Sequence, residues 1–377
     1  MEQRDLWLWL ASSRITPRQF ARLMEVYGSV EGIGKALGGY SVREVGLPVS
    51  TVALRKLREA RRPGAMNDVE RAMKRADIRL VPQDDAEYPP LLRHLDEDAP
   101  IALFVRSQTE LKLPRAFAIV GTRRCTRYGE QAAEGIAAGL GAAGVTVVSG
   151  LARGVDTAAH LGCLSVGGNT VAVLGCGADV IYPRENEKLL LDILEEGGAV
   201  VSEYAPGVQP LGRHFPVRNR IISGMCSGVL IVEASVQSGA RHTVDHAHDQ
   251  GREVYALPGR VDAPTSEMPL ILLRDGSQMA TSAGDILETI RWLGDDLPPA
   301  PEARAIDNRP YNHDETLAGL EPGQQRVADA LKENELTFSE IVACTGFSAP
   351  EVNSHLTLLE LHGIIIQLPG RIFALAR

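Results

Sequence analysis

The sequence predicts a doubly wound, mostly parallel α/β sheet flanked by a small all-α domain in front and a winged helix behind, and three observations predict it. Six short apolar runs, "AFAIVG", "VTVVSG", "NTVAVLG", "GAVVSEY", "GVLIVEAS" and "EVYALPG", alternate with helical stretches from residue 116 onward. Continuous β-branched runs separated by helices mark parallel strands buried on both faces. Ahead of them, "FARLMEVYGSVEGI" and "TVALRKLREA" carry apolar residues at helical spacing, broken by Gly28, Gly38, Gly39 and Gly46, which gives short helices with tight turns. Behind them, "QQRVADALKEN", "TFSEIVACTG" and "SAPEVNSHLTLLELHG" read as three helices, and "IIIQLPGRIFALA" as a hairpin turned at Pro369 and Gly370.

The expected boundaries follow. A helical domain covers 1–80, the sheet domain 81–293, a linker 294–320 with Pro298, Pro299, Pro301 and Pro310 among charges, and the winged helix 321–377. With 377 residues, 44% hydrophobic and 23% charged, the chain has enough apolar side chain for two or three cores, which excludes a disordered protein. The apolar run Leu6–Ala11 is too short for a signal-peptide core or a membrane span, and no later run is longer, so a cytoplasmic protein without membrane contact is expected. Cys125, Cys163, Cys176, Cys226 and Cys344 form no C-x-x-C pair and read as small core residues.

Net charge is −9, which by itself disfavours a polyanion as partner, but the charge is unevenly spread. Residues 1–80 hold 15 basic and 9 acidic side chains, residues 81–320 hold 20 and 32, and residues 321–377 hold 4 and 7. A basic front joins an acidic remainder, and that balance leaves two readings of the front domain open, an auxiliary contact to a polyanion or a packed cap on the core with an exposed basic face. The acidic tail carries Glu351 and Glu360 on its would-be recognition helix, which argues for a partner or self-association role over major-groove binding.

In a doubly wound sheet, ligands bind outside the carboxyl ends of the strands. The segments there are "GTRRCTRYG" (121–129), "SGLARGVDTAAH" (149–160), "GCGADVIYP" (175–183) and "SVQSGARHT" (235–243). Their glycines let backbone amides approach a ligand, and the helices that follow favour an anion. Arg123, Arg124 and Arg127 stand in a stretch without a carboxylate, and "RHFPVRNR" (213–220) places Arg213, Arg218 and Arg220 in another, with Pro216 positioned to open a helix. Two such clusters on one rim point to an anion groove; for any single arginine, pairing with Glu203 or Glu233 is the plainer expectation. "GLGAAG" (139–144) fits G-x-G-x-x-G but lies late in a helix, and no G-x-x-x-x-G-K-[ST] occurs, so no nucleotide cofactor is expected.

The motifs "AIVGTRRCTRYG", "VVSGLARGVDTAAH", "TVAVLGCGADVIYPREN", "VSEYAPG", "FPVRNRIISG" and "SGARHT" through "ALPG" follow one another as in the DNA-processing protein A (DprA, also called Smf) family, which the chain resembles over about residues 80–290. The resemblance implies a Rossmann-like core that binds single-stranded DNA, dimerises, and loads RecA recombinase during natural transformation. It implies DNA-binding roles for Gly121, Thr122 and Arg123, for Ser149, Gly150, Ala152, Arg153, Gly154 and Asp156, for Phe215, Pro216, Arg218, Asn219 and Arg220, and for Ser238, Gly239 and Thr243. Arg218 and Arg220 would form one wall of the groove. The chain departs from the family in "MPLILLRDGS", where Met268, Leu270 and Ser277 replace the usual residues of a loop.

Competing readings remain. Asp156 and His160, four apart, could be an acid–base pair of a nucleotide phosphoribohydrolase, or Asp156 could hold backbone amides with His160 closing the network. His242 and His246 have metal-sharing spacing but no third ligand, so a solvated face is the plainer reading. A duplex-reading regulator built on the winged helix is a third class.

Overall fold

The computed structural model describes residues 2–37, 48–290, 320–332, 336–361, 364–368 and 372–375. Apart from Leu320, the expected linker lies outside these residues, as do Gly38, Gly39, Gly46, Pro369 and Gly370. Two compact units divide the chain, Met1–Ile306 and Asp307–Arg377.

The first unit opens with helices α1 (Gln3–Ser12), α2 (Pro17–Tyr27), α3 (Val30–Leu37), α4 (Thr51–Ala60) and α5 (Ala65–Arg75). The apolar run of α1 is buried all round because it serves two cores. Leu6, Trp7, Trp9 and Leu10 pack with Phe20, Leu23, Ile33 and Leu57 of the neighbouring helices, whereas Leu8 joins Phe104 and Leu190 of the sheet layer. The Trp9 indole N–H donates to the Leu57 carbonyl at 2.8 Å, which satisfies its one polar atom inside the cluster. Gly28 ends α2 in the left-handed region (φ +74), where other residues are strained.

The sheet contains β1 (Ile78–Pro82), β2 (Ala102–Arg106), β3 (Ala116–Val120), β4 (Thr146–Ser149), β5 (Thr170–Leu174), β6 (Ala199–Ser202), β7 (Gly228–Ile231), β8 (Glu253–Ala256) and β9 (Gln278–Met279). Their order is β1-β2-β6-β5-β4-β3-β7-β8-β9. Pairing is parallel from β6 through β9, while β1 and β2 pair antiparallel with each other and β2 with β6. All six anticipated runs are strands. Their valines and alanines are buried because helices cover both faces: α6 (Pro90–Arg93), α10 (His214–Gly224), α11 (Ala240–Asp249) and α12 (Glu267–Arg274) contribute to one apolar cluster, α7 (Arg127–Ala142), α8 (Val155–Leu164) and α13 (Ala283–Ile290) to a second. On the second face α9 (Glu187–Glu195) packs with α1 over β5 and β6. Strand order reverses between β3 and β7, the place where such sheets open a ligand crevice.

The stretch containing Met268 and Leu270 is not a loop: it forms α12, with Met268 buried and its N–H bonded to the Ala234 carbonyl at 3.1 Å. Cys163, Cys176 and Cys226 are buried core residues and Cys125 is half-buried, but Cys344 is exposed, so the core reading fails there. Among the described residues no helix is long and apolar enough to cross a membrane.

The second unit contains helices Pro322–Ala330, Phe338–Thr345 and Ala349–Leu361, and strands Ile365–Leu368 and Ile372–Leu375 pair antiparallel, as a winged helix requires. A two-residue strand, Leu336–Thr337, adds to the second of these. Val327, Ile341, Val352, Leu356, Leu359 and Phe373 form its separate core.

Candidate nucleic-acid interface

The loops after β3 and β4 are stitched together at the carboxyl edge of the sheet. The Thr122 N–H donates to the Glu233 carbonyl at 2.6 Å across the strand-order reversal, and the Val155 N–H donates to the Thr122 carbonyl at 3.3 Å. Gly154 makes this possible: its φ is +73, and a Cβ there would lie 2.5 Å from the Thr122 oxygen. Glu233 is buried and accepts from the Thr126 N–H (2.7 Å), the Thr126 hydroxyl (2.8 Å) and the Thr265 hydroxyl (3.1 Å), so this carboxylate holds the start of α7.

Gly150 sits between opposite charges. A Cβ on it would lie 2.7 Å from both Arg218 Nη2 and Asp156 Oδ2. Asp156 accepts from the amides of Gly150 (3.1 Å) and Ala152 (3.3 Å). Burial pushes its carboxyl above the ordinary value, while Arg218 and the two amides pull the other way. Arg218 Nη1 donates to the carbonyls of Gly150 (3.0 Å) and Val173, and its Nε donates to Asn219 Oδ1 at 3.1 Å. Asn219 in turn donates to the Gly239 carbonyl at 3.2 Å, tying α10 to the loop that opens α11. Ser149 bonds inward to the Ile119 carbonyl at 2.6 Å.

Six anticipated residues converge on one pocket: Arg123, Gly150, Ala152, Arg153, Phe215 and Arg218 line it, with Leu174, Gly175, Cys176, Tyr182 and Pro183 completing it. Its enclosed space is about 20 Å³, room for roughly one water-sized group, opening to solvent. The Phe215 ring is its centre. The Arg123 guanidinium stands 5.5 Å from the ring centroid, that of Arg218 stands 6.0 Å away, and the Tyr182 ring lies 5.4 Å off. Arg123, Arg124, Arg127 and Arg213 are exposed, and among the described residues none of them has a carboxylate within 4.0 Å. Arg153 is exposed but paired with Glu185.

The expected wall of Arg218 and Arg220 takes a different form. Arg218 is 5% exposed, with Asp156 as its counter-charge, and reaches the pocket only as its floor. Arg220 is 6% exposed and donates to Glu203 at 2.6 Å, away from the pocket. The cause is the start of α10 at His214, which places Pro216 third in the helix and both arginines in its second turn, beneath the rim. Ser238, Gly239 and Thr243 do not line the pocket either, and Thr243 is 1% exposed.

Asp156 and His160 form no bonded pair. His160 Nδ1 lies 2.7 Å from the Thr170 hydroxyl, and burial, with Arg218 nearby, pushes the imidazole down to about 3. His246 is half-buried, its Nε2 lying 3.3 Å from the Pro216 carbonyl. No group of three or more metal-capable side chains occurs among the described residues. Sequence reasoning missed Tyr182, Pro183 and Gly175 as individuals. The signal was present, since Gly175 directly follows a strand and Tyr182 and Pro183 close the same segment "GCGADVIYP", where ligands are met.

Comparison with known proteins gives concordant matches. The profile described as DNA recombination-mediator protein A matches residues 79–291, and the DprA winged helix domain matches residues 312–371. Protein Smf of Escherichia coli is 41% identical over 299 residues, which span 79% of this chain and 78% of that protein. The X-ray structure of DNA processing protein A (DprA) from Streptococcus pneumoniae superposes with a TM-score of 0.63 at 32% identity, covering 74% of this chain and 95% of that one. A structure of DNA processing protein A from Helicobacter pylori, described for its single-stranded DNA binding mode, gives 0.51 at 28% identity, covering 57% and 97%.

Proposed function

We propose that this chain, which belongs to the DNA-processing protein A (DprA/Smf) family, holds single-stranded DNA at the carboxyl edge of β3, β4 and β5 and passes it, as a homodimer, to RecA recombinase. One observation carries the DNA-binding part: a carboxylate-free, exposed Arg123 stands over the Phe215 ring at the mouth of a pocket whose floor is the Arg218 guanidinium. A guanidinium over the half-buried Phe215 ring, with the exposed Tyr182 ring beside it, offers a phosphate and a base their respective partners at once. Stacking on Phe215 or Tyr182 needs a base that is not stacked on its neighbour, which favours single strands over duplex. Arg124, Arg127 and Arg213 extend the cationic rim. The transfer to RecA and the homodimer are what family membership implies, and the Helicobacter pylori relative's single-strand binding supports the ligand.

A mediator is favoured over a phosphoribohydrolase because both acids that could serve catalysis are occupied. Asp156 holds two amides beside Arg218, and Glu233 holds the start of α7.

The test is a competition assay with single strand, duplex and mononucleotide, paired with a product assay. Single strand should win, with no product. Arg123→Ala should lower its affinity about tenfold with an unchanged melting temperature, and should reduce the salt slope by about 0.7. Unaltered binding by Arg123→Ala, or duplex outcompeting single strand, refutes the assignment.

A further inference from the structure

Beyond the pocket, the helical front of the chain contributes one residue whose placement the DNA-binding reading does not use. Arg14, in the turn between α1 and α2, is exposed and stands in the left-handed region (φ +57), where a residue other than glycine is strained. The turn is rigidly held. Ser13 bonds to the Leu10 carbonyl at 2.6 Å, Ile15 is buried in the helical core, and Lys56 Nζ donates to the Arg14 carbonyl at 2.8 Å. Among the described residues no carboxylate lies within 4.0 Å of Arg14.

The end of α1 shares an apolar cluster with the segment that leads into α10. Leu8 and Ala11, on the last turns of α1, pack in one cluster with Tyr204, Ala205 and Val208. The Tyr204 ring stacks on His214 with centroids 4.2 Å apart and planes 19° from parallel. His214 Nδ1 in turn lies 3.2 Å from the carbonyl of Gly175, a pocket residue. Burial is the main cause that holds the His214 imidazole below its ordinary pKa, and the positive charges of Arg213 and Arg14 add to it. Arg213 and Arg14, both exposed, thus stand within electrostatic reach of a ring that bonds to the pocket wall.

We propose that the front helical module extends the single-strand track, with Arg14 gripping a backbone phosphate of nucleotides that have passed beyond the Phe215 pocket. This rests on the DNA-binding reading above and adds a second contact zone to it. Ser13 and Lys56 fix the backbone of the turn, and the exposed Arg14 guanidinium has no carboxylate within 4.0 Å among the described residues, so its charge is available to a phosphate.

The test compares two oligothymidylates, one of about 5 nucleotides and one of about 20, on the full chain. Arg14→Gly removes the guanidinium while suiting the backbone conformation, so its melting temperature should equal or exceed that of the wild type. It should weaken the long strand about fivefold, lower its salt slope by about 0.7, and leave the short strand unchanged. Arg14→Lys should restore most of the loss. Arg123→Ala should weaken both strands. If Arg14→Gly leaves the long strand unaffected while Arg123→Ala weakens both, the track ends at the pocket and this proposal is overturned. Equal affinity of the wild type for the two lengths overturns it as well. If Arg123→Ala changes neither, the pocket assignment has failed, and the extension falls with it.

Discussion

Two sets of arginines, one following β3 and one on α10, do opposite work. Arg123 and Arg124, on a loop fixed by backbone bonds to the Glu233 and Val155 positions, and Arg127, at the start of α7, stand in solvent with no carboxylate within 4.0 Å among the described residues. Arg218 and Arg220 lie under the rim, each opposite an acid, and bond to carbonyls or to Glu203. The first set has charge to spare for a polyanion. The second has its charge answered within the protein, Arg218 fastening the carbonyls of Gly150 and Val173 and Arg220 fastening Glu203. A desolvated arginine whose counter-ion is in place offers little further attraction to a phosphate, whereas an exposed one releases counter-ions when it meets the strand.

The largest expected effect lies in the buried set. Arg220→Ala leaves the half-buried Glu203 without its partner, and should cost about 3 kcal/mol in denaturant unfolding, the low end for a buried pair. Replacing both charges together, Arg220→Met with Glu203→Leu, should recover most of that, because apolar packing substitutes for the pair. Single-strand affinity of the double variant should stay near that of the wild type. A stable double variant that binds DNA poorly would place Arg220 among the contact residues and break the comparison.

How far the sequence revealed this division follows from what one-dimensional pattern carries. The six strands β3 to β8 were legible because parallel strands covered on both faces must be apolar throughout. β1 and β2 were not. Arg79 and Pro82 interrupt the first, and together they form an antiparallel pair at the edge of the sheet, where the apolar requirement is weaker. The loops of the pocket were legible from strand ends and glycines. The sidedness of α10 was not, because "FPVRNR" shows charges and no carboxylate, while the acids that answer Arg218 and Arg220 come from residues 156 and 203. Partners distant in sequence are invisible to local charge counting, and two residues of offset in the helix start decided which arginines reach solvent.

A second effect sharpens the buried side of the contrast. His160 is fully enclosed, and burial, with Arg218 adding to it, pushes its imidazole down from 6.5 to about 3. Between those values the unfolded chain binds a proton that the folded one refuses, so stability is complete above the unfolded value and declines as pH falls. Acidification from pH 6.5 to 5 should cost about 1.5 kcal/mol through this residue. His160→Leu should flatten that segment of the pH–stability curve, since Thr170 keeps its bond to the Val147 carbonyl at 2.8 Å. An unchanged slope would mean that the enclosed region admits a charge, and the picture of Arg218 as desolvated would weaken with it.

The smallest effect concerns an arginine between the two classes. Arg79 on β1 is about a third exposed and reaches Glu87 through Nε (3.0 Å) and Nη2 (2.7 Å), as well as the carbonyls of Ser107 (3.2 Å) and Thr109 (2.7 Å). Burial tends to raise the Glu87 carboxyl, but the bonds from Arg79 and the Leu111 amide outweigh it and hold it below its ordinary value of 4.5. The resulting stability is present above that value and lost as pH falls through the lower folded one. Because both side chains meet solvent, Arg79→Met should cost only about 1 kcal/mol at neutral pH, and the gap from wild type should narrow below about pH 4. DNA affinity should not change, since this pair lies on the β1 and β2 margin and not at the carboxyl edge of β3 to β5. A gap that persists undiminished in acid would transfer the contribution from Glu87 to the two carbonyls, making Arg79 a fastener of backbone, as Arg218 is, and not one half of an ion pair.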